Sequence, residues 1–240
     1  MRLDSVKVVS FSGIDGAGKS TQIEALCRSL RGRGFHCSLY TFWDDVVTFS
    51  KFREHISLRA FKGDKGIGSP TKPILRRDKN VTTWYTTIFR LLLYAFDALS
   101  LTIAVSRREE SDADFLIFDR YIYDELANLP LKNLAVRLYL HLLLKFIPQP
   151  DIALLLDADP EAATIRKPEY PLEFVYRNRE AYHRVSKLVG MNIVPPLSIE
   201  QTSGIIDELV SEKCLRADRY TFQNASDDER AASLEAHRSS

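Results

Sequence analysis

Val6-Lys7-Val8-Val9-Ser10-Phe11-Ser12-Gly13-Ile14-Asp15-Gly16-Ala17-Gly18-Lys19-Ser20-Thr21-Gln22 is the stretch on which the reading of the chain turns. An apolar, β-branched run leads into Gly13-x-x-x-x-Gly18-Lys19-Ser20, and an amphipathic segment follows. Strand, loop and helix therefore come in the order that a phosphate-binding loop requires. Gly13, Gly16 and Gly18 lack a Cβ, so the backbone can take φ > 0 and turn successive N–H groups toward phosphate oxygens. The helix opening behind the loop adds unpaired amides and the positive end of its dipole. Lys19 is placed to reach the β and γ phosphates, and the Ser20 hydroxyl to ligate the Mg²⁺ that accompanies them. A nucleoside triphosphate is the expected ligand. The dinucleotide fingerprint is excluded, because it needs Gly-x-Gly-x-x-Gly and the glycines here run Gly13-x-x-Gly16-x-Gly18.

Composition narrows the class without naming it. The 240 residues are 45% hydrophobic and 27% charged, ordinary for one globular α/β domain with ample core. With 33 basic and 32 acidic side chains the net charge is +1, so bulk charge gives no support for nucleic-acid binding and any basic site must be local. Cys27, Cys37 and Cys214 are odd in number and widely spaced, which suits reduced, packed thiols rather than a disulfide frame or metal site. Val6 to Phe11 is too short for a secretion signal, and Leu91 to Val105 is interrupted by Asp97, Ser100 and Thr102, so neither a membrane span nor a membrane partner is expected. The reading is a cytoplasmic protein with small-molecule partners.

Along the chain, Ile23, Leu26, Cys27 and Leu30 repeat at helical spacing, and His36 to Phe42 supplies a second strand. This β-α-β unit predicts a parallel sheet covered by helices on both faces. Val46 to Phe61 carries a moderate helical pattern. Lys62 to Asn80 then reads as a long, solvated basic insertion, rich in Gly and Pro. Thr83 to Arg108 is expected as a long helix with Ile88, Leu91, Leu92, Ala95, Leu99 and Ile103 on its buried face. Phe115 to Phe118 and Ile152 to Leu156 are short buried strands, with a helix over Leu134 to Phe146 between them. Asp159 fits an N-cap and Pro160 the first position of a helix. Leu172 to Leu188 is helical, Met191 to Val194 a fifth strand, and Ser198-Ile199-Glu200-Gln201 a capping box that opens the last helix. We read residues 1–215 as one domain with a lid at about 166–171, and residues 216–240, dominated by Ser, Asp, Glu, Arg and Ala, as a disordered tail.

Four places together resemble the thymidylate kinase family of P-loop nucleoside monophosphate kinases. They are Phe11 to Gln22, Phe118-Asp119-Arg120-Tyr121, the run from Pro150 to Glu161, and Leu172-Glu173-Phe174 with Arg177, Arg179, Glu180, Ala181 and Tyr182. The resemblance implies a P-loop kinase fold with a five-stranded parallel sheet, ATP and Mg²⁺ as cosubstrate and cofactor, and a homodimer. It implies a nucleotide-binding set of Gly13, Asp15, Gly16, Ala17, Gly18, Lys19, Ser20 and Thr21, with Asp15 accepting a hydrogen bond from the sugar. By the same resemblance Arg120 spans donor and acceptor phosphates. Asp119, at a strand's C-terminal end, joins Ser20 at the metal, holding its waters. Arg166 and Lys167, in a lid shorter than the family's, are the candidate cations over the transferring group. Two departures concern the acceptor. Thr41-Phe42-Trp43-Asp44-Asp45 stands where the family carries an arginine signature, and Leu93 and Asp97 fall where it carries a stacking aromatic and a base-reading arginine.

Phosphoryl transfer needs positioning and charge neutralisation more than covalent help from the protein. A monophosphate acceptor is already anionic, whereas a hydroxyl acceptor benefits from a carboxylate within reach. The sequence therefore supports transfer from ATP to thymidine monophosphate or a related monophosphate. Its rivals are a deoxynucleoside or small-alcohol kinase using Asp44 or Asp45 as general base, and a non-catalytic nucleotide-binding protein.

Overall fold

The computed structural model describes residues 5–43, 84–109, 112–130 and 133–215. Val46 to Phe61, the basic insertion at 62–80, Asp44, Asp45 and the tail at 216–240 lie outside them. Among the described residues the elements run β1 (Lys7–Ser12), α1 (Lys19–Gly32), β2 (Cys37–Thr41), α2 (Trp84–Glu109), β3 (Phe115–Asp119), α3 (Ile122–Leu126), α4 (Leu134–Leu143), β4 (Ile152–Leu156), α5 (Pro160–Arg166), α6 (Leu172–Val189), β5 (Asn192–Val194) and α7 (Ile199–Val210). A wider turn, Ser211–Leu215, continues from α7.

The five strands form one sheet in the order β2-β3-β1-β4-β5, and every neighbouring pair is parallel. Alternation along each strand feeds two separate cores, because successive side chains point to opposite faces. Val8, Leu116, Phe118, Ala153 and Leu155 face α2, α3, α4 and α6. Val9, Phe11, Phe115, Ile117, Ile152, Leu154 and Leu156 face α1 and α7. Both faces are thus covered, as the near-continuous apolar runs of β3 and β4 require. Each of these fully buried side chains contributes about 1.5–3 kcal/mol relative to exposure.

Local signals fix the helix starts. Asp159 accepts a hydrogen bond from the Ala162 amide at 2.9 Å, with Pro160 in the first helical position. Ser198 and Gln201 form the reciprocal capping box that opens α7. Gly190, with φ 72°, ends α6 in the left-handed conformation that glycine adopts without a Cβ penalty. The three cysteines form no disulfide, Cys27 and Cys214 being buried and Cys37 partly so.

One expectation is corrected on α2. Its buried face consists of Tyr94, Asp97, Ala98, Leu101 and Val105, whereas Ile88, Leu92, Leu99 and Ile103 are exposed, as is Ala95, with only Leu91 of the expected set partly buried. This helix is apolar around most of its circumference, so periodicity alone could not select the side that meets the sheet. Among the described residues no helix is long and apolar enough to cross a membrane.

Candidate active site

The site is assembled where β1 and β3 end side by side, with Phe11 in register with Asp119. Beyond β1 the chain enters Gly13-Ile14-Asp15-Gly16-Ala17-Gly18, where Gly13, Gly16 and Gly18 all take positive φ, at 142°, 83° and 87°. At Gly13 an added Cβ would lie 2.5 Å from the Leu156 carbonyl oxygen, and at Gly16 it would lie 2.4 Å from that of Ala163. The loop is therefore wedged between the end of β4 and helix α5. Gly18 opens α1 with no side-chain cap on the helix. The first amides of α1 remain available for an anion, which is what the loop sequence predicts.

Lys19 is 7% exposed, and its Nζ donates to the carbonyl oxygens of Gly13 at 2.9 Å and Ile14 at 3.0 Å. Burial and then the neighbouring Arg120 charge lower its pKa to about 8, against the pull of Asp15, Asp124 and Asp119. Ser20 and Thr21 are exposed on the first turn of α1. The Asp119 Oδ1 atom is buried and has no hydrogen-bond partner among the described residues. A buried carboxylate oxygen left without a hydrogen-bond partner, and an exposed hydroxyl at Ser20, are donors of the kind a hydrated divalent cation takes.

Arg120 is the sole non-glycine residue with a left-handed backbone among those described, at φ 70°. Its amide donates to the Phe11 carbonyl at 2.9 Å, which ties the turn to the end of β1. The guanidinium binds Asp15 Oδ1 through one nitrogen, and through the other approaches Asp124 Oδ1 at 3.3 Å and the Tyr182 hydroxyl at 3.4 Å. Burial opposes its charge, but Tyr182, Asp124, Asp15 and Asp119 outweigh that penalty and raise its pKa above the ordinary arginine value. It stays a cation at every working pH.

The lid residues separate. Lys167 Nζ lies 3.9 Å from Asp15 Oδ1 and 3.3 Å from Glu169 Oε1, at the mouth of the loop. Arg166 turns back, with Nε donating to the Ala162 carbonyl of its own helix at 3.1 Å. Asp15 is thus the anion on which Arg120 and Lys167 converge, and Arg166 is not brought into that cluster. Ala17 contributes its backbone amide, which donates to Ile14 at 3.2 Å and closes the loop turn. Sequence reasoning missed Asp124, a buried carboxylate one helical turn beyond Arg120. The spacing of Arg120 and Asp124 on a helix entry was the available signal.

Glycines at positive φ before a helix, a lysine that opens that helix and an arginine at the neighbouring strand end are the marks of a P-loop phosphotransferase. The family model for thymidylate kinase matches residues 11–193. The chain belongs to the thymidylate kinase family, and its class is that of ATP-dependent nucleoside monophosphate kinases. It is 26% identical over 212 residues to the probable thymidylate kinase of Methanosphaera stadtmanae, covering 87% of this chain and 97% of that protein. It is 29% identical over 203 residues to the thymidylate kinase of Chlorobaculum tepidum, covering 74% of this chain and 83% of the relative. The fold is also similar to that of thymidylate kinase from Candida albicans, with a TM-score of 0.57 at 18% identity over 87% of this chain and 92% of that one. For the Ehrlichia chaffeensis thymidylate kinase the TM-score is 0.54 at 17% identity, over 87% and 99%.

Proposed function

We propose that the chain transfers the γ-phosphoryl group of ATP to a nucleoside monophosphate, thymidine monophosphate or a close relative, with Mg²⁺ bound at Ser20 and Asp119. The observation that carries the reading is the convergence of Arg120 and Lys167 on Asp15 beside the uncapped start of α1, whose first residue is Lys19. These cations come from three different elements and meet where a chain of phosphates would run. Lys19 leaves the Gly13 and Ile14 carbonyls to bind the donor, the loop amides and the first amides of α1 cradle it while that of Ala17 holds the loop turn, and Arg120 bridges donor and acceptor. Mg²⁺, when bound, neutralises charge on the phosphoryl oxygens. Asp15, freed of its cations, accepts a hydrogen bond from a sugar hydroxyl. Lys167 covers the transferring group from the lid, and Arg166 adds its charge at the lid's edge.

The acceptor preference is proposed to be altered, because Asp97 is buried on α2 and a carboxylate replaces the family's base-reading arginine there. Turnover with thymidine monophosphate, other monophosphates and their parent nucleosides, read as ADP release in ATP and Mg²⁺, tests this directly. Monophosphate turnover is expected. Turnover of a nucleoside alone, abolished in Asp44→Asn or Asp45→Asn, would replace the reading with a hydroxyl kinase.

The same reading carries a homodimer. Ile88, Leu92, Phe96, Leu99 and Ile103 line one side of α2, and Leu134, Leu138 and Leu142 line α4 with Phe146 just past its end, all exposed. The helices are joined by the Tyr139 hydroxyl, which donates to the Leu91 carbonyl. The two exposed apolar stripes thus lie on helices in contact with each other, and a second copy can cover them isologously. The cytoplasm is the proposed location, supported by three cysteines that are not in disulfides.

A further inference from the structure

Asp124 is 5% exposed and engaged on every side. Its Oδ2 accepts hydrogen bonds from the Ser12 hydroxyl at 2.6 Å and the Tyr121 amide at 3.2 Å. Its Oδ1 accepts from the Tyr182 hydroxyl at 2.7 Å and faces the Arg120 guanidinium at 3.3 Å. The donors other than Arg120 come from the end of β1, the entry to α3 and the middle of α6. Burial holds the Tyr182 pKa well above the usual phenol range, so this residue is a hydroxyl donor to Asp124 and not a competing anion. A carboxylate held by three such donors has no freedom to follow the guanidinium.

The two anions on Arg120 differ in kind. Asp15 sits on the phosphate loop, partly exposed, shared with Lys167, and can be displaced by an incoming phosphate. Asp124 lies beneath the loop with its lone pairs filled, and no phosphate reaches it. The left-handed backbone at Arg120 aims the side chain across the strand ends, and the first turn of α3 brings Asp124 back under it. Tyr182 extends the chain of contacts to α6, which begins directly behind the lid at Leu172.

We infer that Asp124 is a positioning residue for phosphoryl transfer: with Tyr182 and Ser12 it forms the fixed pivot about which Arg120 exchanges Asp15 for phosphate. The inference rests on the assignment of Arg120 to the transferring phosphates. It names a residue for which the P-loop and strand-end motifs carry no signal. Removing the pivot leaves the arginine charged and present but unoriented, so the loss falls on kcat and spares nucleotide binding.

The experiment compares Asp124→Asn and Tyr182→Phe, each in the wild-type background and with Arg120→Ala, for kcat, both KM values and the thermal unfolding midpoint. Asp124→Asn is expected to lower kcat about 30- to 100-fold and Tyr182→Phe about 3- to 10-fold, each leaving the ATP KM within about 3-fold. With Arg120→Ala neither change should cost more than about 2-fold further, since the group they position is gone. Equal fold losses in both backgrounds would mean that Asp124 acts on the fold at large, and would overturn the inference. Should Asp124→Asn fail to fold, Tyr182→Phe in the two backgrounds decides alone, because it keeps the carboxylate and removes one donor. If Arg120→Ala by itself leaves kcat unchanged, the assignment of Arg120 fails, a result separate from failure of the pivot.

Discussion

The Lys19 ammonium stands 2.9 Å from the carbonyl oxygen of Gly13, so the loop's own backbone occupies a donor that a phosphate oxygen would claim. A buried cation whose hydrogen bonds go to two neutral carbonyls is unfavourable for the folded protein, and the charges of Asp15, Asp124 and Asp119 offset only part of its burial penalty. Lys19→Met is therefore expected to stabilise the unliganded protein by about 2–3 kcal/mol at pH 7 while lowering kcat at least about 10³-fold. The folded-state pKa, about 8, lies below the ordinary 10.5, so the unfolded chain binds this proton more tightly. The destabilisation is full below pH 8 and fades as the pH rises toward 10.5. Chemical denaturation of both proteins at pH 7 and pH 10 checks the sign: the advantage of Lys19→Met should shrink at the higher pH.

Gly16 connects the phosphate loop to the helix that carries the lid. Its missing Cβ would lie 2.4 Å from the Ala163 carbonyl, with φ at 83°, whereas at Gly18, φ 87°, an added Cβ meets nothing within 4 Å. Gly18→Ala thus carries backbone strain alone, about 1–2 kcal/mol, and Gly16→Ala adds a collision with backbone that cannot rotate away. The expected order in thermal unfolding is wild type, then Gly18→Ala, then Gly16→Ala. Equal destabilisation by the two would show that α5 yields freely.

The lid residues, equivalent in sequence, are separated by geometry. Lys167 reaches Asp15 and Arg166 its own helix. Lys167→Ala is expected to lower kcat about 10- to 100-fold and Arg166→Ala less than about 3-fold, with little change in ATP affinity for either. The reverse order in steady-state kinetics would move the lid role to Arg166.

Helix α6 is clamped to the end of β4 by a charged pair. Arg179 binds Asp157 with both Nε and Nη2, at 2.7 and 2.6 Å, and His183 Nε2 lies 3.1 Å from the same carboxylate. Burial would raise the Asp157 pKa, but the hydrogen bonds and charge of Arg179, joined by His183, lower it below 3.8. A carboxyl depressed in the folded state contributes stability above its unfolded pKa and loses it as the pH falls through the folded one. Arg179 is about one-third exposed, so solvent screening holds the contribution to about 1 kcal/mol. Asp157→Asn should be destabilised by that amount at pH 7, and the gap should close below about pH 4 in urea titrations.

The exposed face of α2 and α4 predicts the assembly. Leu138→Lys or Phe96→Asp places a charge in the apolar stripe and should convert a dimer into a monomer in sedimentation velocity. A wild-type protein that sediments as a monomer at high concentration would end the homodimer proposal.

The sequence by itself determined the phosphate loop, the strand set and most helix starts, because each is written in local chemistry. Gly13, Gly16 and Gly18 are needed for positive φ, alternating or continuous apolar runs mark the strands, and Asp159 and Ser198 cap amides three residues away. Tertiary structure decided what depends on residues distant in sequence. The buried side of α2 was set by how an all-round apolar helix meets the sheet, with Tyr94 and Asp97 inward and Leu92 and Leu99 outward. The partition of Arg166 from Lys167 was decided where α5 ends, with Arg166 turned back on Ala162 and Lys167 approaching Asp15 of the loop. Asp124 acquired its role because β1, α3 and α6 bring Ser12, Tyr121 and Tyr182 to one carboxylate, across separations of up to 112 residues. Periodicity records which side chains are apolar within a turn or two; the partners that a buried polar group finds are fixed only when the sheet has closed around it.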